Sequence, residues 1–196
     1  MATPPTYTQD DVEALISKMA LERGKLIAAA EGLRGDDADR VPVDAVGEEQ
    51  WTAKEQLAHL IEMERNYVAW CRAALVESGT HISGGYDLPV EIPIEHAPKH
   101  TVRELLDELI GERVRTNHFI RSLLLKQFSN TAITPGFGEL TVMQYLRSFY
   151  RHDRQHTAQI EGRQSDYQPN FASGVEPNQR QMRIDLVTER QGAEQS

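Results

Sequence analysis

Two histidines four residues apart, His152 and His156, are the side chains in this 196-residue sequence best placed to do chemistry together. In a helix that spacing leaves them about 40° apart around the axis and one turn apart along it, so both imidazoles can reach a single ion. Neutral imidazole nitrogens suit divalent metals, and a rigid helix presents two of them at little ordering cost. The same spacing also fits surface or capping histidines. In zinc-protease helices a Glu follows the first His as general base; here Asp153 stands there, one methylene short. No helix carries the Glu-x-x-His pair of di-iron or di-manganese bundles, which leaves a mononuclear site with a third ligand elsewhere.

His59 is the best candidate for that third ligand, because it alone among the other histidines falls inside a predicted helix and near its apolar arc. It projects to the edge of the arc, which places it at the rim of a groove; a lone structural histidine fits there too. His118 projects from a charged helix face, while His81, His96 and His100 belong to a proline-containing connector, and these four read as surface or loop residues. Asp153, on an inward stripe beside His152, admits two roles: accepting a hydrogen bond from a ligand imidazole, or lying buried and capped by a Tyr or Arg. Cys71 is rotated about 120° from His59 and displaced about 18 Å along the helix, so it reads as core rather than as a thiol of the site. Met63, Tyr67 and Trp70 read first as packing.

The elements that must position these residues announce themselves by a repeated start signal. Thr8 with Asp11, Thr52 with Glu55, Thr101 with Glu104 and Thr141 with Gln144 each have the form of a capping box ahead of an apolar periodicity of three and four. The predicted helices run from about Thr8 to Leu33, Trp51 to Glu77, Thr101 to Phe128 and Glu139 to Arg163. Val12, Leu15, Met19 and Leu26 mark the inward stripe of the first. Leu105, Leu109, Ile110, Val114, Leu123 and Leu124 mark that of the third, and Leu146, Phe149, Tyr150 and Ile160 that of the fourth. The second is apolar over a wider arc and touches two neighbours. Such lengths suit an all-α four-helix bundle. The connectors are long, one from Gly35 to Gln50 and one from Ser78 to His100, and loops of that length cross over a bundle or wall a site. Residues 1–168 read as one domain; residues 169–196 read as a polar tail, extended or partly disordered.

Composition narrows the function. A formal charge of −9, from 30 Asp plus Glu against 21 Lys plus Arg, gives the wrong field for gripping phosphate backbones, so no nucleic-acid partner is expected. A single cysteine and the lack of a signal-like N-terminus suggest the cytoplasm, and no apolar run is long enough for a bilayer, so no membrane partner is expected. The wide apolar arc and the tail make homodimerisation an expectation.

Residues 51–62, Trp-Thr-Ala-Lys-Glu-Gln-Leu-Ala-His-Leu-Ile-Glu, together with residues 150–160, Tyr-Arg-His-Asp-Arg-Gln-His-Thr-Ala-Gln-Ile, resemble the DinB-like (DinB/YfiT) superfamily over about residues 8–165. The resemblance implies an up-down-down-up bundle in which His59 from the second helix and His152 and His156 from the fourth gather one divalent metal, zinc or nickel. Three histidine ligands leave a coordination position open, as in reactive metal sites. The resemblance further implies a small-molecule substrate and an ion that activates a low-molecular-weight thiol or water against an electrophile, in the manner of an S-transferase or hydrolase. A non-catalytic binding or stress-response module is the alternative.

Overall fold

All four start signals form. Thr8, Thr52, Thr101 and Thr141 lie in extended backbone, and each hydroxyl accepts from the amide three residues on, while Asp11, Glu55, Glu104 and Gln144 reach back to the cap amide. In each box two amides that the helix leaves without partners are satisfied reciprocally. The computed structural model describes residues 5–41, 51–82 and 90–167. Within them run α1 (Gln9–Glu31), α2 (Ala53–Val76), α3 (Val102–Ser122) and α4 (Val142–Ile160). The tail at 169–196 lies outside the described residues, as does most of the first connector.

Apart from offsets of one or two residues and an α4 end at Ile160 rather than Arg163, two boundaries differ from the sequence reading. α3 stops at Ser122 rather than Phe128: the Ser122 hydroxyl donates to the Phe119 carbonyl at 2.7 Å, Leu123 turns extended, and Leu125–Ser129 forms a 3-10 turn. α4 starts after Thr141, not at Glu139, because the residues before it form a strand. That strand belongs to a small sheet absent from the all-helical reading. β1 (Thr80–His81) pairs parallel with β2 (Thr131–Thr134), which pairs antiparallel with β3 (Gly138–Thr141). The β2–β3 turn passes through Pro135 and Gly136 and returns at Gly138, whose φ of 70° is the left-handed conformation that glycine adopts without steric cost.

The direction of each helix follows from which core it enters at which end. One apolar cluster holds Val12 of α1, Trp70 of α2, Phe119 of α3 and Leu146 of α4. The other holds Leu26 of α1, Leu57 of α2 and Leu105 of α3, with Ile160 of α4 packed against it. α1 and α4 therefore run from the first cluster to the second, and α2 and α3 the other way, which is the up-down-down-up order. α1 packs along α4 and α2 along α3. Because α2 and α3 are parallel, the chain between them must travel back the length of the bundle. Its last part returns to the second cluster, where Ile92, Ile94 and Ala97 are buried and the Ile94 amide donates to the buried Glu62 carboxylate at 3.2 Å.

Between the two clusters lies a charged layer. It is why the inward stripe of α3 departs from the sequence expectation: after Leu109 the buried positions are Glu112, Arg113 and Thr116, then Phe119 and Ile120, whereas Ile110, Val114 and Leu124 are exposed. Among the described residues no helix is long and apolar enough to cross a membrane.

Candidate metal centre

α2 and α4 meet beside the second cluster, and there the structure brings His59, His152 and His156 together. All three are buried; His59 is only 1% exposed, so it sits inside the bundle and not at a groove rim. His152 Nε2 lies 3.2 Å from His59 Nε2 and 2.9 Å from His156 Nε2, and one nitrogen from each ring falls within 4.8 Å of the others. Bonds of about 2.0–2.1 Å from a metal to imidazole place neighbouring ligand nitrogens about 2.9 to 3.4 Å apart in octahedral or tetrahedral geometry, so both short separations fit the edges of a coordination polyhedron.

The protonation of His156 fits as well. Gln56 Nε2 donates to the Trp51 carbonyl at 3.1 Å, which orients its amide, and Gln56 Oε1 faces His156 Nδ1 at 3.1 Å. An amide oxygen only accepts, so Nδ1 carries the proton and the Nε2 lone pair points at the other rings. Burial first, and then the neighbouring His152, push the His156 ring well below its ordinary value of 6.5, against the pull of Gln159. Neutral imidazole is the form a metal takes. The Trp51 ring stands edge-on to His59 with centroids 4.5 Å apart, closing that side of the centre with apolar surface.

Asp153 takes the second of its two roles. Its Oδ1 accepts from Arg23 Nη2 at 2.9 Å, and its Oδ2 accepts from Arg23 Nε at 3.1 Å and Arg113 Nη2 at 3.0 Å. Glu64 completes the group: Oε1 accepts from Arg113 Nε at 2.7 Å, and Oε2 from Arg23 Nη2 at 2.7 Å and Arg113 Nη2 at 3.0 Å. The remaining guanidinium nitrogens donate to main chain, Arg23 Nη1 to Leu109 and Arg113 Nη1 to Met19. Burial alone would raise the Glu64 carboxyl, but the guanidiniums of Arg113 and Arg23 outweigh it and lower it to about 2. The four charges cancel within this layer.

The other sequence-level candidates lie elsewhere. His81 and His96 are exposed in strand and connector, His100 is half-buried 3.7 Å from Glu104, and His118 is exposed on α3. Cys71 is fully buried in the first cluster, and burial pushes its thiol far up. Sequence reasoning gave no role to Gln56, although it lies one turn before His59 on α2, to Trp51, or to Glu64, Arg23 and Arg113, whose partners all lie on other helices.

The family model described as the DinB superfamily matches residues 18–160. The chain belongs to the DinB superfamily. All four helices fall wholly or mostly within the matched span, as do the three converging histidines. Among solved structures, this superfamily member is similar to YfiT from Bacillus subtilis, described as a probable metal-dependent hydrolase with an unusual four-helix bundle topology. The similarity has a TM-score of 0.63 at 19% identity and covers 82% of this chain and 90% of that one, a likeness of fold. No curated protein matches the sequence.

Proposed function

We propose that this DinB superfamily protein is a metal-dependent enzyme that holds one divalent cation, zinc or nickel, through His59, His152 and His156. The observation that carries the reading is the convergence of three buried imidazole nitrogens from two helices, 2.9 and 3.2 Å apart across His152. Three protein ligands leave coordination positions for a reactant, the donor set of catalytic rather than structural sites. When bound, such an ion supplies Lewis acidity, polarising a substrate oxygen and making water or a thiol nucleophilic near neutral pH. The chain's own residues do the rest: Gln56 fixes the His156 tautomer, Trp51 packs against His59, and burial in the core holds the His156 ring neutral.

Hydrolysis by water is the first reading, since the structurally similar YfiT is described as a probable metal-dependent hydrolase. Use of a low-molecular-weight thiol as nucleophile in an S-transfer is the second, and it follows from the same donor set, because a thiolate is a ligand for the same ions. Tag-free protein reconstituted with zinc or nickel is assayed on activated esters and amides, and with glutathione, mycothiol or bacillithiol against epoxide and chloronitrobenzene electrophiles. Turnover that requires metal and disappears in His152→Ala supports the proposal and identifies the nucleophile. Stoichiometric metal binding without metal-dependent turnover of either class contradicts the enzymatic reading and favours a binding module.

A further inference from the structure

We infer that Arg23, Arg113 and Glu64 are positioning residues of the metal centre, holding α2 and α4 in the one register at which their histidines share an ion. The inference rests on the metal reading of the three histidines. Each of the four helices contributes one charge to the layer: Arg23 from α1, Glu64 from α2, Arg113 from α3 and Asp153 from α4. Both arginines bridge the same two carboxylates, and those carboxylates sit on the two helices that carry the histidines. Glu64 follows His59 by five residues and Asp153 follows His152 directly. Each guanidinium is braced in turn against the helix that carries the other, Arg23 of α1 on the Leu109 carbonyl of α3 and Arg113 of α3 on the Met19 carbonyl of α1.

The tolerances make this bracing matter. Metal–nitrogen distances hold to about 0.2 Å, whereas a slip of one helical residue moves a ligand about 1.5 Å. The hydrophobic effect is non-directional, while forked guanidinium–carboxylate contacts have fixed geometry and add a directional constraint to that of packing. Stability alone does not explain why the layer is ionic, because a whole buried ion group can often be replaced by apolar residues of similar volume at no loss, even though removing one of its partners is costly. A device for register does account for it.

Arg23→Lys and Arg113→Lys keep the charge but lose the fork that spans two carboxylates. Phe128→Ala, in the first cluster and away from both the layer and the histidines, serves as a matched destabilised control. Cobalt(II) affinity by competition and the cobalt d–d spectrum are read on protein shown to be folded, where loss of global stability leaves native-state affinity unchanged. The lysine variants are expected to bind cobalt at least tenfold more weakly with an altered spectrum, while Phe128→Ala matches wild type in both. Wild-type affinity and spectrum in the lysine variants overturn the inference, as does an equal loss in Phe128→Ala. Wild-type protein that takes up no cobalt sinks the metal reading instead. If the lysine variants fail to fold, the fully apolar layer Arg23→Met, Glu64→Leu, Arg113→Met, Asp153→Leu takes their place. That protein, folded, is expected to bind cobalt weakly, and wild-type affinity in it overturns the inference.

Discussion

Replacing Glu64 by Gln removes one of two carboxylates facing two buried guanidiniums and leaves an uncompensated positive charge in the middle of the bundle. Breaking a buried ion group in this way costs about 3–5 kcal/mol. The lowering of the Glu64 carboxyl from 4.5 to about 2 gives a similar size, roughly 3 kcal/mol, at about 1.4 kcal/mol per pKa unit. For a domain of this length that is a fall in Tm of about 6 to 20 °C. The folded-state pKa lies below the unfolded value, so the stabilisation is fully present above about pH 4.5 and is lost as pH falls through about 2. Urea unfolding of wild type and Glu64→Gln in chelator, at several pH values from 7 down to 2.5, isolates the effect. The difference between the two proteins is expected to hold steady from pH 7 to 5 and then shrink toward pH 2.5. A difference under about 1 kcal/mol at pH 7, or one that does not narrow in acid, refutes the account of the charged layer.

Three further outcomes are expected. Because burial holds the His156 ring below 6.5, protonation favours the unfolded chain, so metal-free protein should lose Tm as pH falls from 7 to 5.5 and His156→Gln should lose less; equal slopes by calorimetry count against a buried neutral ring. Gln56→Leu removes the acceptor facing His156 Nδ1 and should weaken metal binding about 10- to 100-fold in a chromophoric-chelator competition, with the circular dichroism unchanged. Cys71, fully buried with its thiol pushed up, should resist Ellman's reagent in the native protein and react once per chain in guanidinium; rapid native labelling contradicts its place in the core.

Much of the bundle was legible because its signals are local. Thr8, Thr52, Thr101 and Thr141 mark helix starts by contacts spanning only three residues, and His152 and His156 share a face by helical geometry alone. The strands at 131–134 and 138–141 were hidden because they are short and because the residues of β3 run straight into α4. The α3 stripe slipped toward Ile110 and Val114 because the true inward row continues through Arg113, a residue that reads as surface until Glu64 and Asp153 are seen to face it. Each partner in that layer lies on a different helix, 40 to 130 residues away from another along the chain, so no single stretch of sequence announces it. His59 looked peripheral for the same reason: its burial comes from Trp51 and α4, not from its own helix.

Crystals soaked with zinc and measured at the zinc absorption edge test the central claim most directly. A single anomalous peak about 2.0–2.1 Å from Nε2 of His59, His152 and His156 is the expected result. A map with no peak among the three rings, or with zinc held by His152 and His156 while His59 points away, contradicts it.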